Sequence, residues 1–211
     1  MKNLPLVSVL IPTYNSSKDT NNLLEKLQCQ TYQNFEVVIV DDSSDRPFEL
    51  MKVYTFPCKV IRHEANKGLL EARRTGFKHS NGDLIVFLDS DDNVSCDWIR
   101  SLVYKQIKTN CDIVIGDFLL EKEGGFYFFP RSELWQTDFR SSSKIIFDKV
   151  IFQEGLDFSW TVVWNKIYKR SLIENVYSLI PMCSTNLVMC EDILLSLVAY
   201  FCSKEISVSY T

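Results

Sequence analysis

Phe35-Glu36-Val37-Val38-Ile39-Val40-Asp41-Asp42-Ser43-Ser44 is the stretch on which the fold turns. Phe35 to Val40 is rich in β-branched residues and has the length of one strand. So apolar a run is buried on both faces, and a carboxylate pair ends it. Upstream, Val7-Ser8-Val9-Leu10-Ile11 is a second such run, stopped by Pro12. Between them, Ser16 or Ser17 can cap a helix with Asp19 in its first turn and Leu23, Leu24 and Leu27 on one face. Downstream, Val60-Ile61-Arg62-His63 predicts a short strand, and Asn66 can cap a helix carrying Leu69, Ala72, Gly76 and Phe77. Asn81-Gly82 marks a turn before the apolar strand Leu84 to Leu88, and Ser95 caps a helix with Ile99, Leu102, Val103 and Ile107. Apolar strands alternating with amphipathic helices predict an α/β fold, a mostly parallel central sheet flanked by helices. Ligands of such sheets bind beyond the carboxyl ends of the strands.

Three of those ends are polar: Pro12-Thr13-Tyr14-Asn15, Asp41-Asp42-Ser43-Ser44 and Asp89-Ser90-Asp91-Asp92. A parallel sheet brings them to one edge and converges up to five carboxylates there. Like charges so placed repel unless a cation neutralises them, and an all-oxygen set suits Mg²⁺ or Mn²⁺ together with substrate phosphate. The plainer alternative is that Asp and Ser stand there as turn formers. No GxGxxG and no GxxxxGK[ST] occurs, so a dinucleotide fingerprint and a P-loop are unsupported. Lys67, in the loop after the third strand, is a candidate phosphate ligand or an ordinary surface lysine. Arg73 and Arg74 read as a solvated helix face.

The second half is less regular. Ile113 to Leu120 and Phe126 to Phe129 flank Lys122-Glu123-Gly124-Gly125 as a hairpin. Ser141 to Gln153 and Glu191 to Cys202 read as helices, and Ile206 to Ser209 as a final strand. Trp160, Trp164 and Tyr168 read as core aromatics. Phe126 to Pro130 reads as a buried strand, with an acceptor lip or a membrane-facing patch as the alternative.

A chain of 211 residues that is 46% hydrophobic and 24% charged is long and apolar enough for one packed domain. Its net charge of -4 argues against a nucleic-acid partner. His63 and His79 are the only histidines and lie in separate segments, which disfavours a His-rich zinc site. The seven cysteines include no CxxC pair and read as reduced thiols of a cytoplasmic protein, several of them buried. Met1 to Pro5 runs straight into a strand pattern, so no signal peptide is expected, and no apolar run reaches the ~18 residues of a membrane span.

The residues Val7 to Asn15, Gln30-Thr31-Tyr32-Gln33-Asn34 running into Phe35 to Ser44, Asn66-Lys67-Gly68, Ala72-Arg73, Gly82-Asp83 and Phe87-Leu88-Asp89-Ser90-Asp91-Asp92 follow one another as ordered motifs. Together with Trp164 to Arg170 and Glu191-Asp192, they resemble a family 2 glycosyltransferase of the GT-A fold. The resemblance implies a single domain over residues 1–211, with a Rossmann-like nucleotide-sugar half (1–110) and an acceptor-side half (111–211). It implies that Pro12 and Tyr14 line the base pocket, that Asp42 accepts the uracil N–H, and that Lys67 contacts the donor. Asp89-Ser90-Asp91 matches the DXD motif, with Asp89 toward the ribose and Asp91 and Asp92 toward a Mn²⁺ or Mg²⁺ ion. Asp192 matches the catalytic base of an inverting transfer from a UDP-sugar, hexosyl or N-acetylhexosaminyl in type. The acceptor implied is a saccharide or lipid-linked saccharide of bacterial surface polysaccharide, handled in the cytoplasm or at the inner face of the membrane. The chain departs from the pattern at Cys190, where members often carry Gly, and ends at Thr211 soon after the final strand.

Two rivals share these residues. A receiver-like phosphoacceptor domain also sets an acidic pair and a later Asp at strand ends, but its pair follows the first strand. A sugar-nucleotide binder without catalysis would differ only in the C-terminal half.

Overall fold

The computed structural model describes residues 4–122, 125–128, 140–142, 158–181 and 191–208. The first half alternates as expected: β1 (Val7–Thr13), α1 (Ser17–Gln28), β2 (Phe35–Asp41), β3 (Cys58–Arg62), α2 (Leu69–Lys78), β4 (Leu84–Phe87) and α3 (Trp98–Thr109). There follow β5 (Ile113–Ile115), β6 (Leu119–Lys122), β7 (Gly125–Phe128), β8 (Arg140–Ser142), α4 (Phe158–Thr161), β9 (Lys166–Lys169), α5 (Arg170–Leu179), α6 (Glu191–Cys202) and β10 (Glu205–Val208).

Among the described residues the main sheet has eight strands in the order β3-β2-β1-β4-β9-β5-β10-β8. The ladders β1–β2, β1–β4, β2–β3 and β5–β10 are parallel. β9 runs against both β4 and β5, and β8 against β10. Only β9 and β8 therefore oppose the common direction, and the sheet is mostly parallel as expected. Alternate strand residues serve two cores. Leu10, Val38, Val40, Ile85 and Phe87 pack with α2, α5 and α6 on one face. Val9, Ile11, Val37, Ile39 and Val86 pack with α1 and α3 on the other. Each fully buried aliphatic side chain contributes about 1.5–3 kcal/mol, which is why both faces must be covered.

Several boundaries differ from the sequence reading. β1 runs through Pro12 to Thr13 instead of stopping at the proline. Leu88 N–H donates to Leu10 O, and Asp42 N–H donates to Thr13 O. Polar backbone groups of Leu10 and Pro12 thus face the β4 side, where the ladder ends at Leu10–Phe87. Pro12 lacks an N–H only where no acceptor waits. The N-cap of α2 is Gly68, at φ 85°, rather than Asn66. Ser141 and Ser142, read as the start of a helix, lie in β8 and pair with β10. The remainder of that segment, 143–153, lies outside the described residues, as do 129–130, Cys183 and Cys190. The expected hairpin forms, with Lys122 opposite Gly125. Of the described cysteines only Cys111 is fully buried, while Cys29 and Cys96 are exposed, so thiol burial was overestimated. Trp160 and Tyr168 are core residues as expected. Among the described residues no helix is long and apolar enough to cross a membrane.

The Asn81-Gly82 turn packs against β1. Gly82 N–H donates to Ser8 Oγ at 2.7 Å, and a Cβ at position 82 would lie 2.5 Å from both Ser8 N and Ser8 Oγ. Gly82→Ala is expected to destabilise the fold by about 2 kcal/mol, the scale of overpacking against backbone. Urea unfolding should show a lower midpoint at unchanged slope; an unmoved midpoint would mean that the turn has room to shift.

Candidate active site

The chain order β1, β2, β3 proceeds outward, and β4 returns to the other side of β1. The reversal opens a crevice outside the carboxyl ends of β1 and β4. A cavity of about 350 Å³ occupies it, lined by Pro12, Tyr14, Asp42, Asn66, Gly68, Asp89 and Asp91 among others. Five of the expected site residues therefore share one cavity: Pro12, Tyr14, Asp42, Asp89 and Asp91. Tyr14 leaves its ring half exposed at the rim. The loops after β1 and β2 are tied together, since Asn15 N–H donates to Ser44 Oγ and Asp45 N–H to Asn15 Oδ1. Asn15 and Ser43 both take positive φ there. Asn tolerates that region, and the cross-links hold Ser43 in it.

The Asp41-Asp42 pair divides its labour. Asp41 faces away from the cavity, accepting from Ser44 N–H at 2.8 Å, Phe48 N–H at 3.0 Å and Arg62. Burial pushes its carboxyl up, but the hydrogen bonds from Ser44 and Phe48 and from Arg62 outweigh this and hold it below the usual range. The expected convergence of five carboxylates is thus reduced by one. Asp42 is buried against the cavity wall and accepts from His63 Nδ1 at 2.6 Å and from the backbone N–H groups of Lys67 and Gly68, each at 2.8 Å. Lys67 enters the site through that amide; its side chain is exposed and does not line the cavity.

At the β4 end, Asp91 is exposed and has no hydrogen-bond partner among the described residues. Asp92 turns back beneath it, its Oδ2 accepting Asp89 N–H at 2.7 Å. Burial, reinforced by the charges of Asp89 and Asp91, pushes the Asp92 carboxyl up to about 7. Among the described residues no three acidic, His or Cys groups form a cage for a metal. The donors suit instead a hard cation shared between Asp91, on the cavity side, and ligand oxygens. Besides burial, the charges of Asp89 and Asp91 raise Asp92, and a cation there would offset those charges.

Arg73 joins this cluster to the C-terminal half. Its fully buried guanidinium donates through Nη2 to Asp89 Oδ1 at 2.7 Å and through Nη1 to Asp192 Oδ1. Burial alone would lower its pKa; Asp89 and Asp192 overcome that and keep the guanidinium charged. Asp192, in the first turn of α6, is not a lining residue of the cavity but stands one guanidinium away from Asp89. Its neighbour Glu191 has a buried Oε2 without a partner among the described residues. Arg74 is buried as well, pairing with Glu71 and donating to the carbonyls of Tyr177, Ile180 and Pro181 at the end of α5. The reading of Arg73 and Arg74 as a solvated face is therefore wrong. The available signal was spacing: Leu70, Arg73 and Phe77 share one side of α2, and an arginine on an apolar face requires acidic or carbonyl partners.

The model of glycosyl transferase family 2 matches residues 8–184. The chain belongs to that family. It is 30% identical over 175 residues to glycosyltransferase GlyA of Streptococcus pneumoniae, covering 81% of this chain and 25% of GlyA. It is 31% identical over 208 residues to the putative glycosyltransferase EpsH of Bacillus subtilis, covering 96% of this chain and 58% of EpsH. The chain thus spans a quarter to somewhat over half of these relatives. TarS 1-349 of S. aureus, solved in complex with UDP, superposes with a TM-score of 0.73 at 24% identity over 97% of this chain and 60% of that one. That likeness establishes the GT-A architecture.

Removing Arg73 should leave Asp89 and Asp192 facing each other without compensation. Arg73→Met is expected to cost about 3 kcal/mol, the scale for breaking a buried ion pair. In an Asp192→Asn background the same change should cost clearly less, because one of the repelling charges is gone. Urea titrations of the four proteins measure the difference, and strict additivity would show that Arg73 does not couple the two carboxylates.

Proposed function

We propose that this chain is a metal-assisted, inverting glycosyltransferase that moves a sugar from a UDP-sugar to a saccharide or lipid-linked acceptor. The observation that carries the reading is the Asp89–Arg73–Asp192 bridge, which sets an acid from the C-terminal half beside the crevice that holds Tyr14, Asp42, Asp89 and Asp91. Family membership supports the reaction class, and a family-fold structure solved with UDP-GlcNAc supports a uridine donor. The first half of the chain, 1–110, would hold the donor and the remainder the acceptor, within one domain.

In this reading the uracil lies between Pro12 and Tyr14, with its imide N–H donated to Asp42, the ribose reaches Asp89, and Lys67 stands at the rim near the donor phosphates. Asp91, with Asp92 behind it, would hold Mn²⁺ or Mg²⁺, and the ion would supply a positive charge to stabilise the departing diphosphate. Asp192 takes the proton from the acceptor hydroxyl as that oxygen bonds to the anomeric carbon. The bond from carbon to phosphate oxygen breaks, and its electron pair leaves with UDP. One displacement from the opposite face inverts the centre. Arg73, bound to Asp192 Oδ1, leaves Oδ2 to receive the proton.

The transferred group would be a hexosyl or N-acetylhexosaminyl unit, and the product a bacterial surface polysaccharide. A relative from Escherichia coli named as a UDP-Glc:α-D-GlcNAc-diphosphoundecaprenol β-1,3-glucosyltransferase, 31% identical over 115 residues, favours a lipid-linked acceptor. Such a substrate places the enzyme in the cytoplasm or peripherally at the inner face of the membrane.

Calorimetry with UDP should give tighter binding with Mn²⁺ than after thorough chelation, and Asp91→Asn should erase the difference. Equal affinity in both conditions would remove the metal from the account, and no UDP binding under either would end it. With a UDP-sugar that the enzyme hydrolyses slowly, Asp192→Asn should retain donor affinity while turnover falls by roughly two to four orders of magnitude, the usual scale of general-base catalysis. Unchanged turnover would remove Asp192 as the base, and UDP-sugar binding without turnover in the parent would leave the chain a sugar-nucleotide binder.

A further inference from the structure

Asp42 can accept about four hydrogen bonds in its carboxylate plane, two on each oxygen. Oδ1 already accepts two, from His63 Nδ1 at 2.6 Å and from Lys67 N–H at 2.8 Å. Oδ2 accepts one, from Gly68 N–H at 2.8 Å. One acceptor position therefore remains, on Oδ2, in a carboxylate that lines the cavity. The two amides come from backbone and are fixed by the loop before α2. The third donor is a side chain, His63, which is itself buried and does not line the cavity. Its ring is oriented from behind, because Nε2 lies 2.9 Å from Thr75 Oγ1 on α2. A carboxylate only accepts, so Nδ1 carries the proton toward Asp42, and the threonine hydroxyl meets the other ring nitrogen.

The number of vacant acceptor positions sets what Asp42 can recognise. Guanine presents two adjacent donors, N1–H and the N2 amino group, and grips a carboxylate through both oxygens. Uracil presents one imide N–H between two carbonyls and needs one position. We infer that His63 is a specificity-determining positioning residue: by filling Oδ1 and locking the carboxylate's rotation, it leaves Asp42 a single acceptor matched to uracil and closed to the paired donors of guanine. His63 touches no ligand and acts through Asp42. The inference rests on the reading of Asp42 as the base-contacting residue, and it adds a residue that neither the ordered motifs nor the lining of the cavity singles out.

The test is a competition series with UDP, GDP and 3-methyl-UDP, which lacks the imide N–H. The parent protein should prefer UDP over both. His63→Phe keeps the ring and removes the donors; the preference for UDP over GDP should fall by about tenfold or more, the scale of a hydrogen bond to a charged group. His63→Asn returns an N–H near the place of Nδ1 and should recover most of the preference. Thr75→Val frees the ring from its second anchor and should lower the preference in the same direction but less, which keeps the inference testable if His63→Phe does not fold. Equal losses of UDP and GDP affinity in the His63 and Thr75 variants would reduce His63 to a structural residue and overturn the inference. If the parent binds UDP and 3-methyl-UDP alike, Asp42 does not read the base. That result contradicts the underlying assignment and is distinguishable from failure of the role given to His63.

Discussion

A buried guanidinium with a carboxylate on either side organises this molecule. Arg73 stands on the apolar face of α2, where an unpaired charge would be prohibitively unfavourable, so the fold must bring it two acids. One is Asp89, at the end of β4; the other is Asp192, 119 positions away from Arg73 along the chain. Pairing that one guanidinium thus ties the carboxyl end of β4 to the first turn of α6. The pairing also keeps acids that would otherwise repel at short range. Stability and the geometry proposed for catalysis draw on the same three residues.

The other constraint is the direction of the strands. Because β1, β2 and β4 run parallel, their polar ends meet at one edge, and the return of the chain from β3 to β4 leaves a crevice there. Not every acid at that edge faces the crevice. Asp41 serves the loop behind it, Asp92 folds back on Asp89 N–H, and Asp42, Asp89 and Asp91 line the cavity. Asp41 is the last residue of β2 and Asp42 the first beyond it, and the alternation of successive residues at a strand end separates their roles.

Much of the first half was legible because its strands are apolar runs and its helices repeat leucine or isoleucine at three- and four-residue spacing. Pro12 misled because a proline inside a strand is excluded only where its missing N–H is needed, and that depends on where β4 ends. Ser141 and Ser142 misled because β8 is a strand through its pairing with β10, more than sixty positions later, which no local pattern records. The site was legible wherever acids followed apolar strands. Arg73 and His63 were not read as functional, since each acts from behind an acid and neither lies in a strand-end motif. The signal for Arg73 was its place on an apolar helix face; for His63 nothing local distinguishes it from a surface histidine.

A crystal structure of this chain with UDP and Mn²⁺ should show uracil against Tyr14 with its N3 within hydrogen-bond distance of Asp42, the ion beside Asp91, and Arg73 still bridging Asp89 and Asp192. UDP bound away from the ends of β1 and β4, or an Arg73 guanidinium released from Asp192 with that carboxylate turned from the crevice, would contradict this account.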